Sequence, residues 1–295
     1  MAPRPLIIDA DPGKDDAVAI LLALASPEEL DVVMLGAAAG NVGLDHTTAN
    51  LLRLRELAGR TDIPVHAGCP RPIMRTLATV PHIHGADGLG GAELPPPAGA
   101  VSEPHAVAAL IEAVRASPVP VTIAGIAPLT NIAVALVMAP DIVGQIREIA
   151  VMGGSFSGGN ITPHATFNVF NDPHAADIVF RCGAPVTMIG LDVTRNTMPT
   201  REWCEQLRAT GTPFAKVVAD LWREPTAFMN DACVIAHLIA PDLLRCEPHR
   251  IAIETDACEE IGRTTSVAGE PNAAVATGID REGFFELLMD RLARP

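Results

Sequence analysis

Short apolar runs and longer stretches of helical periodicity alternate along most of the chain. Leu6 to Asp9, Val32 to Ala38, Pro120 to Ala124, Glu148 to Met152 and Pro185 to Ile189 are brief and predict strands. Between them, Asp15 to Ala25, Asp45 to Leu57, His105 to Ala116, Leu129 to Met138 and Pro173 to Cys182 predict helices. Strand, helix, strand in series predicts an α/β fold, an open and mostly parallel sheet with helices on both faces. No internal repeat interrupts this order, and Leu94-Pro95-Pro96-Pro97-Ala98-Gly99 reads as a surface loop, so residues 1–295 are expected to form a single domain. In such sheets ligands bind beyond the carboxyl ends of the strands.

One of those ends carries an unusual charge pattern. Asp9-Ala10-Asp11-Pro12-Gly13-Lys14-Asp15-Asp16 places four carboxylates where the first strand turns into the first helix. Strand alternation sends Asp9 and Asp11 to the same face, Pro12-Gly13 makes the turn, and Asp15 and Asp16 fall in the first helical turn. Helix capping accounts for Asp15 or Asp16 alone, but not for Asp9 and Asp11 upstream. Carboxylates this close repel unless a cation holds them, and Lys14 cannot neutralise the group. An all-oxygen donor set suits a hard divalent cation, Ca²⁺ or Mg²⁺.

Composition narrows the function. The chain of 295 residues is 48% hydrophobic, ample for a buried core, and its net charge of -14 disfavours nucleic-acid polymers and anionic membranes as partners. The six cysteines are scattered with no C-x-x-C spacing, and no signal peptide precedes Leu6, which leads to an expectation of a cytoplasmic protein with reduced thiols. The longest uninterrupted apolar stretch, Ala17 to Ala25, is too short to cross a bilayer. Neither G-x-G-x-x-G after the first strand nor G-x-x-x-x-G-K-[ST] occurs, which argues against a dinucleotide or P-loop site.

The segment Asp9 to Ala19 resembles the N-terminal signature of the inosine-uridine-preferring nucleoside hydrolases. The resemblance continues in order through Gly40-Asn41, Ala67 to Pro72, Ile83 to Gly90, Pro128 to Ala133, Val151 to Gly154, Phe167-Asn168, Asn171 to Pro173, Gly190 to Thr194 and Asn230 to Ala232. It implies Ca²⁺-dependent cleavage of the N-glycosidic bond of ribonucleosides by a homodimer or homotetramer. It further implies that Asp11 ligates the metal and serves as general base, and that Asp16, the backbone carbonyl of Thr130, and Asp231 complete the ligands. Asp15, Asn41, Met152, Asn160, Phe167 and Asn168 would contact the nucleoside, with His84 on a glycine-flanked loop over it. Asp9 is expected to orient other ligands. His82 and His164 are weaker candidates, and Trp203 and Trp222 are read as packing residues.

Two positions depart from the family pattern. Ala165-Thr166-Phe167-Asn168 stands where Ala-Glu-Phe-Asn is common, so a carboxylate expected to grip the ribose is a short hydroxyl. Asn230-Asp231 stands where many members have His-Asp, so the histidine expected as proton donor or base-pocket residue is replaced by an amide, and the chain contains no tyrosine to act as leaving-group acid. The metal half of the site is thus kept while the substrate half differs, with an altered base or 5′ preference as the expected consequence. Two other functions fit parts of the pattern. One is a ribose- or nucleoside-binding protein without turnover. The other is an Asp-x-Asp phosphatase, which the Pro12-Gly13-Lys14 sequence after Asp11 disfavours.

Overall fold

Leu6, Ile7 and Ile8 illustrate how the molecule is built: in the computed structural model, which describes residues 2–90, 92–224 and 227–294, all three are fully buried but not together. Leu6 and Ile8 enter one apolar core and Ile7 the other, as a period of two requires of a strand covered on both faces. This strand, β1 (Arg4–Ala10), lies inside a nine-stranded sheet with β2 (Leu30–Ala37), β3 (Val65–Ala67), β4 (Val121–Gly125), β5 (Ile146–Met152), β6 (Val186–Ile189), β7 (Leu244–Ile253), β8 (Thr264–Val267) and β9 (Ala273–Ile279). The order is β3-β2-β1-β4-β5-β6-β9-β7-β8. The first seven in that order run parallel, while β7 is antiparallel to both β9 and β8.

Helices Lys14–Leu24, Leu44–Leu57, Arg201–Ala209, Pro213–Leu221, Ala232–Ile239 and Arg281–Leu292 cover one face, and Ala106–Ala116, Thr130–Met138 and Pro173–Phe180 the other. Lys14–Leu24 is buried nearly all round, with Val18, Ile20, Leu21 and Leu22 fully enclosed. A core truncation such as Leu21→Ala should cost about 2–5 kcal/mol. That rigidity fixes the acidic first turn of the helix relative to the strand ends. No helix among the described residues is long and apolar enough to cross a membrane.

The five strands and five helices expected from periodicity are present, with boundaries shifted by a few residues. Strands β3, β7, β8 and β9 were not legible: β3 has three residues, β7 carries Pro248 and several polar residues, and β8 is Thr-Thr-Ser-Val. The sequence from Pro225 to Ala240 also carries apolar residues in a helical pattern; of it, Ala232–Ile239 is the α-helix among the described residues, and Pro225 and Thr226 lie outside them. Asp231 is therefore the residue preceding that helix and not one within it.

Candidate active site

The turn after β1 is closed by its own acids. Asp16 accepts hydrogen bonds from the Asp11 amide on Oδ1 (3.2 Å) and from the Gly13 amide on Oδ2 (3.0 Å), closing the first turn of helix Lys14–Leu24 from its third residue. Asn41, beyond β2, donates its amide to Asp11 Oδ2 (2.6 Å) and its side-chain Nδ2 to the Asp11 carbonyl and to Asp16 Oδ2 (3.1 Å each). Two glycines make these approaches possible. A Cβ on Gly40 would collide with the Asp11 carboxylate, and one on Gly13 with the imidazole of His84. Beneath them, Asp9 Oδ1 accepts from Asn131 Nδ2 (2.8 Å), and Asn131 also ties the Ala37 carbonyl to the Cys69 amide. Asp9 thus supports the turn from below.

Carboxylate oxygens of Asp15, Asp16 and Asp231 lie within 4.8 Å of one another, all three residues buried. Asp11 is fully buried beside them, with Oδ1 lacking any hydrogen-bond partner. Burial, then repulsion from neighbouring acids, pushes Asp11 and Asp231 well above the usual carboxylate range, with Asp16 the foremost neighbour for Asp11 and Asp15 for Asp231. Asp16 rises to about 7 by burial and then by Asp15. Asp9 also rises to about 7, by burial alone. Such a cluster is costly unless a cation compensates it. The orphaned Asp11 oxygen and the purely oxygen donors fit a hard divalent cation. Thr130 begins its helix next to the turn, but its hydroxyl is engaged with Asp172 Oδ2 (2.7 Å), and Asp172 in turn caps Pro173–Phe180 and holds the Ile73 amide.

Above the acids opens a cavity of about 490 Å³, large enough for a nucleoside-sized ligand. Its wall brings together Asp15, Asn41, His84, Met152, Asn160, Thr166, Phe167, Asn168, Asn230 and Asp231, so every expected substrate contact faces one space. Asn230 donates to Asp15 Oδ2 (3.0 Å) and accepts from the Thr194 hydroxyl (2.8 Å). Asn168 Nδ2 is fixed on the carbonyls of Ile126 and Met152, and Thr166 Oγ1 accepts the Gly154 amide (2.9 Å). His84 Nδ1 accepts the Lys14 amide (3.0 Å), and burial holds this imidazole below its ordinary pKa. Its ring proton therefore resides on Nε2.

The glycine-rich segment bearing Asn160 is pinned from behind. Asp192 accepts from the Ser155 hydroxyl and the amides of Phe156 and Ser157, while Arg195 donates to the carbonyls of Gly158 and Gly159. His82 lines the cavity, whereas His164 faces Glu260 at 3.9 Å and does not line it. Trp222 is almost fully buried, as a packing residue should be, yet one edge reaches the cavity wall. Sequence reading missed Lys14, Ile161 and Phe228 as wall residues. For Lys14 a signal existed: it sits inside the acidic motif itself.

The family model described as inosine-uridine preferring nucleoside hydrolase matches residues 6–286. A pyrimidine-specific ribonucleoside hydrolase RihA from Citrobacter koseri is 42% identical over 306 residues, covering 98% of each chain. Among solved structures, a plant nucleoside hydrolase superposes with a TM-score of 0.93 at 33% identity, covering 99% of this chain and 100% of that one. A purine-preferring ribonucleoside hydrolase from Gardnerella vaginalis gives 0.92 at 31% identity, with 98% of each chain covered. A buried acidic cluster at the sheet's carboxyl edge, a nucleoside-sized cavity above it and these likenesses converge: the chain belongs to the inosine-uridine preferring nucleoside hydrolases and is a hydrolase acting on N-glycosyl bonds.

Proposed function

We propose that the protein, as one domain over residues 1–295, hydrolyses ribonucleosides to free base and ribose with Ca²⁺ held by Asp11, Asp16, Asp231 and the Thr130 carbonyl. The observation that carries this reading is the buried carboxylate group at the floor of a cavity whose wall otherwise carries amides, apolar side chains, Lys14, His82, His84 and Thr166. When bound, Ca²⁺ would grip vicinal ribose hydroxyls and acidify a water molecule. Because Asp15 also lies in the three-carboxylate group, it is close enough to share the cation's field while accepting from a ribose hydroxyl.

In this reading Asp11 receives the proton of the attacking water, its unpartnered Oδ1 being the free acceptor. Asn41 holds Asp11 and Asp16 in register. Asn160, Asn168 and Met152 hold the ribose, Phe167 packs on it, and His84 offers its Nε2 proton toward the base. Thr166 leaves room beside the 5′ carbon where a family carboxylate is expected, so 5′-deoxy or 5′-substituted ribosides should be tolerated better than by typical members. Asn230 offers an amide in place of an acid. The pyrimidine specificity named for the relatives makes uridine and cytidine the first substrates to try.

The test is incubation with a panel of uridine, cytidine, inosine and 5′-deoxyuridine, measuring free ribose or 5-deoxyribose. Release from at least one supports the reading. Saturable binding without release would instead favour a nucleoside-binding protein. Homodimer or homotetramer assembly belongs to the same reading, and light scattering tests it.

A further inference from the structure

We propose that Lys14 is a catalytic residue of the base-leaving step, its ammonium stabilising the negative charge that collects on the departing base. The proposal rests on the nucleosidase reading above. Only two of the chain's 21 basic residues are lysines, Lys14 and Lys216; the other nineteen are arginines. Lys14 is the one lysine or arginine in the described wall of the substrate cavity. Its ammonium forms no ion pair or hydrogen bond with any described residue. Its aliphatic chain crosses Gly90 so closely that a Cβ there would collide with Cε, and Gly90 adopts the left-handed conformation (φ +58) that glycine tolerates. The Lys14 backbone is fixed as well, with its amide on His84 Nδ1 (3.0 Å). A compact charge with three donors is therefore held against Gly90 at the wall of the cavity, with no described residue accepting from it.

The rest of the wall shows what such a charge could serve. Glycosidic cleavage forms a bond from the water oxygen to C1′ and breaks the C1′–N bond. The water's proton passes to a carboxylate of the floor. The C1′–N electron pair stays on the base, spread over the ring nitrogen and the carbonyl oxygens. Asn230 supplies no acid, its amide being committed to Asp15 and Thr194, the chain contains no tyrosine, and His84, held below its ordinary pKa by burial, offers a ring N–H to the base but no fixed positive charge. An ammonium meets the need without losing a proton: it attracts the forming anion, which solvent protonates after release. Fixed charge aimed at a developing anion counts for more inside a water-poor cavity than in bulk water.

Leaving-group dependence tests this. The Ca²⁺-supplied protein, Lys14→Met and Lys14→Arg are compared on uridine, whose base leaves reluctantly, and on p-nitrophenyl β-D-ribofuranoside, whose leaving group needs little stabilisation. Lys14→Met should lower kcat on uridine about 10²- to 10³-fold, the usual effect of removing one such donor, and on the nitrophenyl riboside less than about fivefold; Lys14→Arg should recover part of the uridine rate. Equal losses on both substrates, or no loss on uridine, would overturn the role of Lys14. A wild-type protein that cleaves neither substrate would instead overturn the nucleosidase reading on which it rests.

Discussion

Gly40→Ala offers a sharp test of where the Asp11 carboxylate must be. The backbone of Gly40 is not in the left-handed region, so alanine is sterically allowed by its own dihedrals. The added methyl is not allowed by its surroundings. It would collide with Asp11 Oδ2, lie 2.7 Å from Asp11 Cγ and 2.9 Å from Pro128 Cδ. An ordinary contact begins near 3.4 Å, so the carboxyl carbon must retreat by about 0.7 Å or Pro128 and its loop must yield. Either movement strains the short bond from the Asn41 amide to Asp11 Oδ2. Overpacking of this kind costs about 1–3 kcal/mol, a drop in Tm of a few degrees for a chain of this size. The catalytic loss should be larger, on the order of 10²-fold in kcat, because displacement of a reacting group by about an ångström has that effect. Gly43→Ala is the control, since nothing lies within 4 Å of a Cβ there and it should change Tm and kcat little. The assays are ribose release at saturating nucleoside and a thermal melt of both variants. A Gly40→Ala protein with wild-type kcat would show that the Asp11 position described here is not the one used in turnover.

Asn131→Ala should destabilise the fold by about 2–4 kcal/mol in denaturant titration, because it orphans the buried Asp9 carboxylate, the Ala37 carbonyl and the Cys69 amide together. Thr166→Glu should raise kcat/KM for uridine relative to 5′-deoxyuridine by roughly 10- to 150-fold, less what is lost when the Gly154 amide forfeits its partner; an unchanged ratio would remove Thr166 from the sugar site. Glu148 tests the pH sign. It is buried, which raises its pKa, but bonds from His237 (3.1 Å) and Thr187 (2.6 Å) outweigh that and leave it below the ordinary value. A depressed carboxylate contributes stability that is present above the unfolded pKa and is lost as pH falls through the folded one. Glu148→Gln should therefore narrow the wild-type advantage in Tm between neutral and strongly acidic pH, and a pH-independent difference would contradict the assignment.

Much of this was readable from sequence because the informative residues are local. Asp9 to Asp16 form a single strand-turn-helix unit whose rules are short-range, and the apolar runs of β1, β2, β4, β5 and β6 are buried on both faces. The C-terminal strands were hidden because β8 is the edge strand and β7 lies next to it, and the exposed positions of both carry mostly polar residues. Pairing across long sequence separations, not local pattern, makes them strands. Asp231 shows the same limit at the site: its neighbours read as continuous helix, whereas the helix starts at Ala232 and leaves the carboxylate at its head, facing Asp15 and Asp16. The bracing of the glycine-rich segment by Asp192 and Arg195 also joins residues more than thirty positions apart, which no local pattern announces.

The most direct measurement is ribose release from uridine, cytidine and inosine by protein stripped of divalent ions, followed during titration with Ca²⁺, for the wild type and for Asp16→Asn. Stripped wild-type protein should release less than about 1% of the ribose formed by replete protein and regain full activity at about one Ca²⁺ per chain, as expected of a site built from buried carboxylates. Asp16→Asn should require far more Ca²⁺, having lost one of the charges that hold the ion. Undiminished ribose release from stripped wild-type protein, or an Asp16→Asn titration that overlays the wild type, would contradict a metal-centred site at Asp11, Asp16 and Asp231.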